Sequence, residues 1–114
     1  MKLIIAIIQP EELPLIKEAL VQKEIYKFTV SNVLGQGKEI PIHEIYRGIA
    51  YDIKLLKKVR VEIAVNDEYV KPAVEAITDV ARSAGDGGRG KIFILPIEEC
   101  VRIRTGETGS AAIG

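Results

Sequence analysis

Leu3 to Ile8 form an unbroken run of six apolar residues, mostly β-branched, ended by Gln9-Pro10. Continuous rather than alternating hydrophobicity predicts a strand buried on both faces. Pro14 fits only the first turn of a helix, and Ile16, Ala19 and Leu20 carry an apolar helical face to about Lys23. Phe28, Val30 and Val33 mark a second strand over Phe28–Leu34, closed by Gly35 and Gly37. Val59–Val65 alternates cleanly: Val59, Val61, Ile63 and Val65 share one face, and Arg60, Glu62 and Ala64 the other. Asn66-Asp67 predicts an N-cap, with Pro72 in the first turn of the helix that follows. Val70, Ala73, Val74, Ile77, Val80 and Ala81 then fall at helical spacing. Ile92–Leu95 is again apolar on both faces. Val101 and Ile103 predict a short alternating extended piece that sets Arg102 and Arg104 on its other side.

The order β-α-β-β-α-β predicts an α+β, ferredoxin-like sandwich. Two helices cover one face of a four-stranded sheet, yet the first and last strands are apolar on both, so the second face also needs a cover. Self-association supplies one; the alternative is a loop or the C-terminal tail folded across it. Between Gly37 and about Leu55 no sustained pattern is visible. A connection this far beyond the usual ~2 to 6 residues predicts a long, mobile, functional loop, with a projecting β-hairpin as the alternative.

Composition narrows the function classes. The 114 residues are enough for one domain, 1–114, with one core. Sixteen basic residues balance sixteen acidic ones, so no long-range field gathers nucleic acid or anionic lipid, and any anion site must be a local cluster. The single Cys100 cannot form an internal disulfide, and no apolar stretch is long enough to span a membrane. The first residues lack the small residues of a cleavage site, so a cytoplasmic protein is expected.

The densest glycine run is Gly85-Asp86-Gly87-Gly88-Arg89-Gly90-Lys91. Its backbone N–H groups can converge on an anion, and Lys91 adds a point charge; the alternative is a flexible helix-to-strand turn. Gly85 to Lys91 matches the Walker A spacing, but Ile92 stands where a magnesium-binding Ser/Thr is needed, and the run precedes a strand rather than a helix. On an extended segment Arg102 and Arg104 lie about 7 Å apart. They call for a multivalent anion or for acidic neighbours, for which Glu98 and Glu99 are the candidates. His43 is the only histidine, so no multi-histidine metal site exists, and Cys100 reads as packing rather than as a nucleophile. Tyr46 and Tyr51 in the long loop are accessible to a partner or a modifying enzyme, or else pin the loop to the body.

These residues carry a resemblance to the PII nitrogen-regulatory signal proteins. Glu44-Ile45-Tyr46-Arg47-Gly48-Ile49-Ala50-Tyr51 resembles the family's T-loop motif. Lys91-Ile92-Phe93 and Val101–Glu107 resemble the blocks around its B- and C-loops. The resemblance runs from Met1 to about Ile113 and implies a T-loop at about 37–55, a B-loop at about 83–91 and a C-terminal loop at about 102–114. It further implies a homotrimer that binds ATP or ADP in clefts between subunits. In the family 2-oxoglutarate binds with Mg-ATP, and the T-loops engage an ammonium transporter or a nitrogen enzyme, so a membrane is met only through a transporter partner. Ile7, Thr29, Gly35, Gly37, Glu62, Gly88, Gly90, Lys91, Arg102 and Arg104 match nucleotide-contact positions. Lys58 matches the lysine that meets 2-oxoglutarate, Arg47 the arginine that plugs transporter pores, and Tyr51 a tyrosine nucleotidylated in some bacterial members.

The departures shape the expectations. Lys38 replaces an arginine and loses its bidentate fork. Glu39 replaces a glutamine that supports magnesium and 2-oxoglutarate. A carboxylate can still ligate magnesium, but it sets negative charge beside a dicarboxylate, so weakened 2-oxoglutarate binding is expected. The B-loop is one residue longer, with Arg89 where an aspartate usually stands, which favours phosphate contact. Ile49 removes a serine that some members phosphorylate. Neither a placed general base nor a nucleophile is visible, so a regulator rather than an enzyme is expected. The rival readings are an RNA-binding sheet, which lacks the aromatic residues it needs, a small phosphate-processing enzyme on the same topology, and a PII relative that senses another small molecule.

Overall fold

The computed structural model describes residues 1–36, 55–84 and 89–114, together with the backbone of Ile45–Tyr46 and Ile49–Ala50. The elements are β1 (Lys2–Ile8), α1 (Leu13–Gln22), β2 (Thr29–Gly35), β3 (Ile45–Tyr46), β4 (Ile49–Ala50), β5 (Leu56–Val65), α2 (Val70–Ser83), β6 (Lys91–Pro96) and α3 (Ser110–Ile113). The main sheet is antiparallel in the order β2-β5-β1-β6, as the ferredoxin-like expectation requires. Of the two runs apolar on both faces, β1 is central, between β5 and β6, whereas Ile92–Leu95 falls in the edge strand β6 and stays partly exposed in the single chain.

Alternation decides the two faces of the sheet. Ile4, Ala6 and Ile8 of β1 and Val59, Val61, Ile63 and Val65 of β5 are buried beneath the helices. α1 contributes Ile16 and Leu20, one turn apart. α2 contributes Ala73, Ala76 and Ile77, whose small alanines let the helix approach the strands closely. The other face carries Leu3, Ile5 and Ile7, all half-buried. On the edge strand β6, Phe93 is 50% and Leu95 42% exposed, so an apolar surface remains on the side away from the helices.

Four local expectations are revised. Val101 and Ile103 do not continue into a strand: Val101 makes one isolated bridge to Thr108, and the residues after Arg102 turn. Arg102 N–H donates to Glu107 O and Gly106 N–H to Arg102 O, and this closure, with Gly106 at φ 76°, outweighs a two-residue alternation. Asn66 makes no side-chain cap; a 3-10 turn at Asp67–Tyr69 leads into α2, and the Asn66 amide donates instead to Ser110 O. Within the long connection, β3 and β4 pair antiparallel, Ile45 with Ala50 and Tyr46 with Ile49, so the hairpin alternative holds over these four residues. The third strand also begins earlier than expected, because Leu56, Lys57 and Lys58 continue the ladder against Gly35, Leu34 and Val33.

Candidate functional site

Sheet register places several of the expected site residues on the face away from the helices. Directly paired residues share a face, so Lys91, Ile7, Arg60 and Ser31 form one row across the sheet, and Phe93, Ile5, Glu62 and Thr29 the next. Lys58 and Val33 continue the same face towards the base of the long connection. Ile7, Thr29, Glu62, Lys58 and Lys91 therefore share one face of the sheet, spread from its β2 edge at Thr29 to its β6 edge at Lys91.

Local contacts fix their orientation. Glu62 and Arg60, two residues apart on β5, form a half-exposed ion pair with Arg60 Nε 2.8 Å from Glu62 Oε1. A Cβ on Gly35 would lie 3.2 Å from Lys58 Cγ, so this glycine makes room for the lysine stem. Gly90 is more tightly constrained. It sits at φ 108°, and a Cβ there would lie 2.2 Å from the Ile7 carbonyl oxygen. Only glycine permits this approach, which seats the end of the α2–β6 connection directly on the central strand.

Beside that contact lies a cavity of about 340 Å³ between α2 and the β1/β6 strand ends. Its lining includes Ile7, Ile77, Arg82, Arg89, Gly90 and Lys91, and among the described residues every ionisable lining group is a cation. Such a cavity is chemically suited to an anion with an apolar portion. A second cavity, of about 200 Å³, shares no lining residue with the first; Tyr26, Lys27, Ala64, Tyr69, Ile113 and Gly114 help to line it.

The two C-terminal arginines are not an exposed pair on a strand. Arg102 Nη2 donates to the carbonyl oxygens of Gly114 at 2.7 Å and of Ala111 and Ala112 at 3.4 Å. Its Nε faces Glu107 Oε1 at 3.4 Å as an ion pair, outside hydrogen-bonding geometry. Glu107, rather than Glu98 or Glu99, is thus its acidic neighbour. Glu99 instead accepts from the N–H groups of Cys100 and Gly109 and so ties the ends of the C-terminal turn together. Arg104 is exposed in the turn. Lys27, Asn66 and Glu99 are polar anchors that sequence reasoning missed, because their partners are backbone atoms 10 to 87 residues away; Glu107 meets Arg102 only because the chain turns back between them.

Gly37, Lys38, Glu39, Arg47, Tyr51 and Gly88, and the side chain of Tyr46, lie outside the described residues. Among the described residues, no group of three or more His, Cys, Asp or Glu side chains could hold a metal ion. Nor, among the described residues, is any helix long and apolar enough to cross a membrane.

Residues 1–107 match the family model described as nitrogen regulatory protein P-II. The nitrogen regulatory protein GlnK1 of Methanosarcina mazei is 50% identical over 114 residues, covering 99% of this chain and 97% of that one. Nitrogen regulatory protein P-II 2 of Methanothermobacter thermautotrophicus is 50% identical over 113 residues, with the same coverage. Nitrogen regulatory protein P-II of Cereibacter sphaeroides is 45% identical over 113 residues, covering 99% of this chain and all of that one. All three names describe regulators rather than enzymes.

Proposed function

The chain belongs to the nitrogen regulatory protein P-II family, and from that premise we propose that it binds ATP or ADP in clefts between the subunits of a homotrimer. It then presents the 37–55 segment to a protein target such as an ammonium transporter or a nitrogen enzyme. The observation that carries the reading is the cavity where Gly90 closes onto Ile7 and every described ionisable lining group is a cation. Phosphates suit the Lys91, Arg89 and Arg82 side chains and the Gly90 backbone, and Ile7 offers an apolar surface to a base.

Arg102 and Lys27 adjoin the second cavity rather than the first, and Thr29 and Glu62 lie towards the opposite edge of the sheet from Lys91. A cleft that uses both groups is completed when a second copy brings its Arg102, Arg104, Thr29 and Glu62 to the first copy's Lys91. The half-exposed apolar surface of β6 suits that association. Regulation then requires only that nucleotide stabilise one arrangement of the 37–55 segment more than another. Magnesium, where it binds, would bridge phosphate oxygens and be held by hard oxygen donors, of which Glu39 is the candidate.

Calorimetric titration of ATP and ADP against the purified chain, with its mass measured in solution, tests the reading. A trimer that binds either adenylate is expected, and a monomer that gives neither heat nor thermal stabilisation overturns it. The same titration with magnesium and 2-oxoglutarate tests the role of Glu39. Weak 2-oxoglutarate binding is expected, and Glu39→Gln should raise that affinity by about tenfold, the equivalent of ~1.4 kcal/mol of relieved charge repulsion. Should both adenylates fail on a well-formed trimer, a thermal-shift screen of other small anions would address the reading in which the cleft senses a different molecule.

A further inference from the structure

Arg102 already holds a ligand, and that ligand is the chain's own tail. A guanidinium grips an oxyanion through paired N–H groups along two edges, Nε with Nη2 or Nη1 with Nη2, and Nη2 belongs to both. Here Nη2 donates to the carbonyls of Ala111, Ala112 and Gly114, at 3.4, 3.4 and 2.7 Å. Nε is turned towards Glu107. Neither bidentate edge can meet a phosphate until the tail leaves.

The tail is built to be displaced. Ser110–Ile113 buries no residue fully. It is held through backbone oxygens: Ser110 O accepts from Asn66 Nδ2 at 3.1 Å, and Gly114 O accepts from Lys27 Nζ at 3.3 Å. The Ala111 and Ala112 acceptors are neutral peptide carbonyls at 3.4 Å, whereas a polyphosphate offers several charged oxygens to the same guanidinium, and contacts charged on both sides are the stronger. Resting on the reading that Arg102 meets nucleotide phosphate, we propose that Ser110–Gly114 is an intramolecular competitor for that phosphate, docked on Arg102, Lys27 and Asn66 and released when a polyphosphate takes the arginine. By linkage, whatever holds the tail down weakens nucleotide binding, and nucleotide weakens tail docking by the same factor.

Calorimetry with ATP on the full chain and on a chain lacking residues 110–114 tests this, with circular dichroism and solution mass checking that both fold and assemble alike. Loss of the tail should tighten ATP binding about three- to tenfold, the range expected from a net one or two hydrogen bonds. Lys27→Met keeps both tail and arginine but removes one tether, and should shift affinity in the same direction by a smaller factor. In the full chain, ATP should sharpen the backbone ¹⁵N resonances of Ala111–Gly114 as the tail comes free. If the full chain binds ATP but neither variant binds it more tightly, the competitor is overturned while the nucleotide reading stands. If no form binds ATP, both fall. Should the shortened chain fail to fold, Lys27→Met and the tail resonances decide.

Discussion

Glu24 occupies a backbone position that usually belongs to glycine. Its φ is 63°, and around it Glu24 N–H donates to Val21 O and Ile25 N–H to Leu20 O, both at 2.9 Å, the paired closure of a Schellman motif. Ile25 is then buried against the core that contains Leu20, the hydrophobic contact that accompanies this cap. A non-glycine residue here costs about 1–2 kcal/mol, part of which is offset because glycine loses more freedom on folding. Glu24→Gly should therefore stabilise the fold by about 0.5–1 kcal/mol and raise Tm by a few degrees in a thermal melt. The stop was legible in the sequence to within a residue because the apolar helical face runs out at Lys23. The cap geometry was not, since a glutamate carries no glycine signal. Arg102 was misread for a related reason: its alternation with Val101 and Ile103 imitates a strand, while its partners are backbone oxygens 9 to 12 residues on, which side-chain patterning cannot register.

At the level of elements, β1 and the turn into α2 are joined by charge. Asp67 accepts from the Met1 ammonium at 2.9 Å and from Lys2 Nζ at 3.3 Å, and these two cations, the ammonium foremost, hold its carboxyl below its ordinary 3.8. A carboxyl whose folded pKa is depressed contributes stability that is fully present above its unfolded value and is lost as pH falls through the folded one. Stability should therefore decline below about pH 4 in part through this group, and Asp67→Asn should flatten that part of the curve in denaturant melts taken from pH 6 to pH 2. The side chain is 70% exposed, so added salt should shrink the difference. The strands and helices themselves were readable because each buries a continuous face: the valines of β5 or the Ile16–Leu20 stripe of α1 state their own period. The two-residue strands β3 and β4 are too short to show one.

For the whole molecule, the uncovered side of the sheet sets the terms. Leu3, Ile5 and Ile7 are only half-buried, and Phe93 and Leu95 stand 50% and 42% exposed on an edge strand. A charge placed there should oppose the proposed trimer more than it opposes the fold of one chain. Phe93→Asp is expected to give a smaller species by light scattering with its circular dichroism spectrum retained, and to bind ATP at least tenfold more weakly if the cleft needs two copies. The apolar side left uncovered was legible from the doubly apolar runs, and so was the nearness of Lys91 to the close of the glycine run. The division of the candidate site into two separate regions of one chain was not, because it follows from register and from where the tail docks.

The seat of Gly90 on the Ile7 carbonyl constrains anyone who would re-engineer the loop before β6. Whatever length and charge that loop is given, its final position, Gly90, has clearance for a hydrogen atom alone. A library that randomises the loop should keep that position fixed, for there the backbone itself is the gauge.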